Sequence, residues 1–319
     1  MRVFCILMCW SFSAWAAESD SYTTLVSDFY SLYSPEVFGD QLWAGGWMER
    51  PKSVPWPDKI YSSIRSNKGE WSFPKPISIV DADGNNQAGE VAGYHINDPS
   101  VVMLSKFTPN KLLMFYTAFP NDAIDPSACN PARNPIDCLD VKRHAMGALQ
   151  SSDAGHTWHD LGVILEHPQG VWSASVLSVE NELWVYYMDA TMPLEDSSLY
   201  LQRLHAASFL ALGKRTKINH PEGGIGNPDV HKINGQFVLL GNRSKASQVV
   251  RYESSNGYQF SQSECWRQPL IDRVGIRLDG PSVYTSTDDE IVVLTGFNEK
   301  NGSTQVVAWS VTSECNVIR

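Results

Sequence analysis

No run of lysine or arginine occurs anywhere in the chain. Its 25 Lys and Arg are outnumbered by 35 Asp and Glu, a formal net charge of −10 at pH 7. Binding to nucleic acid draws on a clustered basic footprint, so nucleic acid is not expected as a partner. The acid excess speaks to solubility and names no ligand. Cysteine is also scarce, at six residues in 319. Neither a Cys-x-x-Cys nor a His-x-x-x-His spacing occurs to suggest zinc, and no metal or other cofactor is expected. Beyond the first few residues there is no stretch of about 20 apolar residues, so a membrane-spanning helix is not expected. Helical periodicity is weak, which turns attention to strands.

The first twenty residues, MRVFCILMCWSFSAWAAESD, set one Arg before an apolar stretch from Val3 to about Phe12, and Ala14-Trp15-Ala16 fits a small-x-small cleavage site. This is the pattern of a secretory leader over residues 1–17. It leaves one domain over 18–319 and implies a periplasmic or secreted location. Cleavage there removes Cys5 and Cys9. The four that stay, Cys129, Cys138, Cys265 and Cys315, are an even count in an exported chain, where disulfides are expected. The expected pairs are Cys129 with Cys138 and Cys265 with Cys315, with free or otherwise paired thiols as the alternative. A monomer is expected.

What the chain does have is aromatics, 11 Trp, 12 Tyr and 12 Phe, and a long-period repeat. Four segments share one design: NDPSVVMLSKFTPNKLLMFYTA from Asn97, WSASVLSVENELWVYYMDA from Trp172, GNPDVHKINGQFVLLGNRS from Gly226 and LDGPSVYTSTDDEIVVLTGF from Leu278. Each opens on a small or polar corner, runs into a short strand, turns, and returns in a strongly apolar strand. Asn234-Gly235 is a strong hairpin signal among these turns. The corner residues Pro99, Ala174, Pro228 and Pro281 are 75, 54 and 53 residues apart, the first interval being lengthened by the segment that holds Cys129 and Cys138. A further unit over 43–79, with its corner at Gly45, Gly46 and Trp47, brings the count to five. Five units of four antiparallel strands predict an all-β, five-bladed β-propeller. A two-sheet β-sandwich of similar size is the alternative.

The second half of each unit repeats as well. KIYSSIRSNKGEWSFP, MGALQSSDAGHTWHDL and VVRYESSNGYQFSQS each give a strand, a turn of Ser, Asn or Asp with Gly, then an aromatic. In residues 151–162, SSDAGHTWHDLG, the Asp153 carboxylate suits backbone N–H groups a few residues on, Gly155 suits a positive φ, and Trp158 suits a plug onto a sheet. This is scaffold chemistry rather than chemistry on a substrate.

These corners and turns resemble the five-bladed propeller glycosidases, the arabinanase, β-xylosidase and invertase-like families, over roughly residues 43–313. The SxDxGxTW stretch is similar to the Asp-box of sialidases, a turn shared across propellers. The resemblance implies a ligand at one end of the central channel, where the inner strand of each blade begins. It implies a general base or nucleophile at the Asp of an early Asp-Pro corner, which is Asp98 in NDPSVV. It implies a general acid at the carboxylate of a later x-Gly-Pro corner, which is Asp279 in LDGPSVY, where the family has Glu. A third carboxylate is implied at the corner between them. That position reads Ser173 here, and Asp229 in the next unit lies one residue past its Pro.

Glycosidic cleavage needs one protonated acid and one ionised carboxylate, held in environments that separate their pKa values. Asp98, Asp279 and Asp229 are therefore the candidate catalytic groups. Tyr94, His95, Trp172, Ser173, His231, Arg243, Arg277 and Trp47 stand at or near corners and are candidate substrate contacts. The leading reading is an exported glycoside hydrolase acting on a glycan or oligosaccharide. The alternatives are a carbohydrate-binding propeller without catalysis, and a glycan phosphorylase or transferase in which Arg243 and Arg277 would meet phosphate.

Overall fold

The computed structural model describes residues 22–29, 31–48, 58–81, 83–104, 110–123, 140–190, 197–220, 225–243, 248–262, 271–272, 277–285, 291–298 and 304–311. The leader and all four cysteines expected to pair lie outside the described residues. No described helix is long and apolar enough to cross a membrane.

Among the described residues, twenty-two strands form five sheets arranged as the blades of a propeller. The first blade holds β2 (Ser31–Phe38), β3 (Gln41–Trp47), β4 (Lys59–Ile64) and β5 (Lys75–Pro76). The second holds β6 (Ser78–Val80), β7 (Asn86–Ala88), β8 (Tyr94–Met103), β9 (Leu112–Pro120), β10 (Ala145–Ser151) and β11 (Thr157–Leu165). The third holds β12 (Trp172–Val179), β13 (Glu182–Met188), β14 (Leu199–His205) and β15 (Thr216–Lys217), and the fourth β16 (Gly226–Ile233), β17 (Gln236–Arg243), β18 (Gln248–Ser254) and β19 (Ile271–Asp272). The fifth runs β20 (Arg277–Thr285), β21 (Ile291–Asn298), β22 (Thr304–Val311) and then β1 (Tyr22–Phe29). The ring is thus closed by the N-terminal strand, which pairs antiparallel with β22 from Tyr22 opposite Trp309 to Phe29 opposite Thr304.

Two features differ from five identical four-stranded units. The second sheet has six strands, because β6 joins the outer strand β11 in parallel and carries β7. The first blade begins at Ser31 rather than near residue 43, so Gly45, Gly46 and Trp47 lie on its second strand.

Blades are held by the apolar faces of neighbouring sheets, as twisted sheets packed face to face require. Between the first and second blades, Trp43, Ile60, Ile79, Met114, Tyr116 and Trp158 are among the buried residues of one cluster, and Trp43 meets Trp158 edge-on at 6.0 Å. Similar layers join the second blade to the third, the third to the fourth, and the fifth to the first.

The outer turn SSDAGHTW contributes to this packing. Ser151 Oγ accepts from the Gly155 N–H at 2.8 Å, and Asp153 Oδ1 accepts from the Thr157 N–H at 2.9 Å. Gly155 takes φ +88°, and a Cβ there would stand 2.6 Å from Gln41 Oε1 and 2.9 Å from the Trp43 ring. The turn therefore docks on the first blade, and Gln41 Nε2 donates to the Ala154 carbonyl at 2.7 Å. A second copy in the fourth blade uses Ser254 and Asn256 in the same roles, with Gly257 N–H donating to Ser254 Oγ at 2.9 Å.

Candidate active site at the channel mouth

The inner strands β2, β8, β12, β16 and β20 each break register once. The breaks fall between Tyr33 and Glu36, Asn97 and Ser100, Trp172 and Ser175, Gly226 and Asp229, and Asp279 and Ser282. At each break one residue takes a left-handed backbone: Ser34 (φ 47°), Asp98 (φ 47°), Ser173 (φ 49°), Asn227 (φ 47°) and Gly280 (φ 57°). The next residue is Pro35, Pro99, Ala174, Pro228 or Pro281. Proline suits a bulge because it has no ladder N–H to lose, and a bulge re-aims the side chain it carries. The residues of all five bulges line one axial space.

Two corrections to the expected corners follow. The first blade has a corner of the same kind at Ser34, Pro35 and Glu36, and Trp47 is not part of one. The corner equivalent to Asp98 in the fifth blade is Gly280, so Asp279 stands one residue earlier, in the register position of Asn97. Its strand position opposite Gly296 is described, while its side chain and that of Arg277 lie outside the described residues. Gly280 allows the ring to close tightly, since a Cβ there would lie 2.4 Å from Ser34 Cα.

Among the five bulge residues, Asp98 alone is ionisable. Its carboxylate is buried and held by two hydroxyls: Ser34 Oγ donates to Oδ1 at 2.6 Å from the first blade, and Thr117 Oγ1 donates to Oδ2 at 3.1 Å from β9. Thr117 Oγ1 in turn accepts from the Ser173 N–H at 3.0 Å. One carboxylate thereby ties three blades. Asn227, the corner of the fourth blade, donates its amide to Asn242 Oδ1 at 3.3 Å, and Asn242 donates to the Leu278 carbonyl at 2.7 Å.

Two residues past each corner lies a second ring. Ser100 Oγ accepts from the Val176 N–H at 3.0 Å, Ser175 Oγ from the Val230 N–H at 2.9 Å, and Asp229 Oδ2 from the Val283 N–H at 3.1 Å. Each side chain bonds the backbone of the next blade. Asp229 also accepts from Ser175 Oγ at 3.1 Å and lies 2.6 Å from His231 Nε2, so three donors take up its carboxylate. Glu36 reaches the same point from the first blade. Burial depresses the His231 pKa, but the charges of Asp229 and Glu36 outweigh it and push the value up to about 9. Burial, reinforced by the Asp229 charge, holds the Glu36 carboxyl well above the usual carboxylate range. The cluster is a charged tie between blades, made of His231⁺ on Asp229, with the Glu36 carboxyl beside them.

On the mouth side of Asp98 stands a further carboxyl, Asp58, just ahead of β4. Asn97 Nδ2 donates to Asp58 Oδ2 at 3.3 Å and lies 3.4 Å from Tyr33 Oη. Burial raises the Asp58 pKa most, a hydrogen bond from Tyr33 opposes it, and the Asp98 charge adds to it, leaving the value at about 7. Tyr94 and His95 line a cavity beside Asp58. Trp47 packs edge-on against Tyr33 at 6.0 Å. Trp172 stacks on His144 with ring centroids 4.7 Å apart, and His144 sits 4.6 Å from Phe119. Burial holds the His144 imidazole neutral, with its pKa lowered to about 4. Arg243 lies at the end of β17, 3.4 Å from Tyr252 Oη.

The sequence puts Asp98 at a corner, where it lies, but the residues that hold it, Ser34 and Thr117, and the two neighbouring acids Glu36 and Asp58 are not among those expected from it. The signal for Ser34 and Glu36 was a fifth x-Pro-x corner, SPE. Asp58 and Thr117 carried no motif.

No protein-family model matches the chain, and no curated protein matches it. Solved structures do. The chain superposes on a thermostable family-43 glycoside hydrolase with a TM-score of 0.63 at 14% identity, covering 94% of this chain and 99% of that one. A family-43 β-1,3-galactosidase solved with galactodeoxynojirimycin gives 0.60 at 10% identity, covering 88% and 91%. An exo-1,5-α-L-arabinanase from a bovine ruminal metagenomic library gives 0.59 at 12%, covering 88% and 93%. The fold is that of the five-bladed propeller glycoside hydrolases. Identities this low carry the architecture and leave the chemistry to the residues.

Proposed function

We propose that the protein is a glycoside hydrolase that cleaves a glycan at the channel mouth, with Asp98 as the base or nucleophile. The observation that carries this reading is the Asp98 carboxylate itself. It is the one ionisable side chain among five equivalent bulges, aimed at the axis by a left-handed backbone and fixed by hydroxyls from two strands. A non-Gly residue in that conformation costs of order 1–3 kcal/mol and persists where the surroundings over-determine it. The propeller hydrolases with this architecture give the reaction class its support. Export fits a substrate that is a polymer met outside the cytoplasm, and the leader over 1–17 with pairs Cys129–Cys138 and Cys265–Cys315 belongs to the same proposal. Reducing-sugar release from a broad panel of polysaccharides and oligosaccharides, with Asp98→Asn beside the wild type, tests the reading. Release that the variant lacks supports it, and no release from any substrate overturns it.

A second reading, a carbohydrate-binding propeller without catalysis, is favoured by one observation. The corner residues Ser173, Asn227 and Gly280 offer no second carboxylate in the position equivalent to Asp98. Glycan binding that survives Asp98→Asn, without turnover, would select it.

A further inference from the structure

The axial space among the five corners is small, about 30 Å³, which admits no more than a water or two. A sugar cannot enter the channel at that level and must sit on the mouth. The larger space lies off axis. A cavity of about 210 Å³ opens on the mouth side, with Asp58, Gln87, Glu90, Tyr94, His95 and Asn121 in its wall. It is smaller than the pockets of about 300–1,000 Å³ that take drug-sized ligands, and suits a single sugar ring.

Asp58 joins this cavity to Asp98. Asn97, the chain neighbour of Asp98, donates to Asp58 Oδ2, and Tyr33 also bonds Asp58 while feeling the charge of both acids. Asp58 Oδ1 is buried and has no hydrogen-bond partner among the described residues. A buried anionic oxygen with no donor is costly, and a proton on this carboxyl removes the cost. The arrangement is two neighbouring carboxyls in unlike settings. Asp98 is held by hydroxyl donors, and among the described residues nothing donates to Asp58 Oδ1. Asp279, the acid implied by the resemblance, stands one residue out of register with Asp98.

We propose that Asp58 is the proton donor of the hydrolysis, acting opposite Asp98, with the adjoining cavity seating one sugar of the glycan. This rests on the glycosidase reading and deepens it. In the step, the Asp58 O–H proton passes to the glycosidic oxygen as the bond from that oxygen to the anomeric carbon breaks. A water oxygen bonds the anomeric carbon and gives one proton to Asp98. The protonated leaving oxygen departs as an alcohol and the new hemiacetal departs as the other sugar, and solvent returns the proton from Asp98 to Asp58, so glycan plus water becomes two sugars with nothing oxidised or reduced.

A donor to the leaving oxygen matters for a poor leaving group and little for a good one. The test compares the glycan found in the panel with the dinitrophenyl glycoside of the same sugar. Asp58→Asn is expected to lose ~100-fold or more in kcat/KM on the glycan and less than ~10-fold on the dinitrophenyl glycoside, and to lose the basic limb of the pH profile near 7. Asp98→Asn is expected to lose both substrates. Asp58→Glu, which keeps an acid, is expected to keep glycan turnover with the basic limb moved. That shift stands in as the readout if Asp58→Asn fails to fold. Equal losses on both substrates, an unmoved basic limb in Asp58→Glu, or the same leaving-group split in Asp279→Asn instead, would overturn Asp58 as the donor while leaving the glycosidase reading standing. A wild type without turnover would overturn both.

Discussion

Ser34 Oγ donates to Asp98 Oδ1 at 2.6 Å across the seam between the first and second blades. The two residues hold equivalent places, each the left-handed member of its blade's bulge. One corner thus serves as the support of the next. Asp98→Asn keeps the shape and tolerates a positive φ, so the variant is expected to fold with wild-type circular dichroism and to lose glycan hydrolysis by ~10²–10⁴-fold.

Thr117→Val removes a donor to Asp98 and an acceptor for the Ser173 N–H in one isosteric change. A buried N–H left without a partner costs about 1–3 kcal/mol. Urea unfolding is expected to show a loss of this size. With the carboxylate free to turn, kcat is expected to fall by about tenfold with KM little changed, since an interaction that orients the base acts in the transition state. A fall in stability alone, with kcat intact, would remove Thr117 from the positioning of Asp98.

The His231 tie gives stability a defined pH dependence. Its folded pKa of about 9 lies above the ordinary value of about 6.5, so the folded state holds the proton more tightly. The stability from this charge is fully present below pH ~6.5 and is lost as pH rises through 9. The shift corresponds to something on the order of 3 kcal/mol. Against His231→Gln, the wild type is expected to be more stable below pH 6.5, and the gap to close above pH 9 in denaturant titrations at each pH. A gap that does not depend on pH would mean that His231 acts by packing.

Gly155→Ala tests the outer turn. The added methyl meets Gln41 and Trp43 and strains a φ of +88°. A loss of ~2 kcal/mol is expected, lowering Tm by roughly 3 °C in a domain of this length. Kinetic constants are expected to stay unchanged, because the turn lies on the outer part of the blade, away from the mouth.

Four of the five corners were legible in the sequence, because Pro99, Ala174, Pro228 and Pro281 each precede a short strand, a turn and a strongly apolar strand. The corner at Pro35 has the same form, while Gly45, Gly46 and Trp47, which look like a corner in sequence, lie on β3. The seam of the ring falls there. The strand before it, β1, pairs with the far end of the chain, so the repeat does not start cleanly. The outer turns were legible for a local reason, since Ser151, Asp153 and Gly155 bond within five residues of one another. Asp58 was not legible. It belongs to no repeat and is brought to Asp98 by the register of β3 with β4, where Gly46 faces Lys59. Asp229 and His231 were singled out as candidates for substrate chemistry. Their partners, Ser175, Val283 and Glu36, come from three other blades, and no local pattern could name them.

The closure of the ring by β1 also sets a clock. Tyr22 pairs with Trp309, so β1 waits until the chain has been made as far as β22 before it can pair. At about 5–20 residues per second, that wait is tens of seconds. During it YTTLVSDF is an unpaired edge, the kind of segment that recruits wrong partners. β22 is the strand that retires this hazard, and a chain cut short before it would leave β1 and β21 each with an open edge.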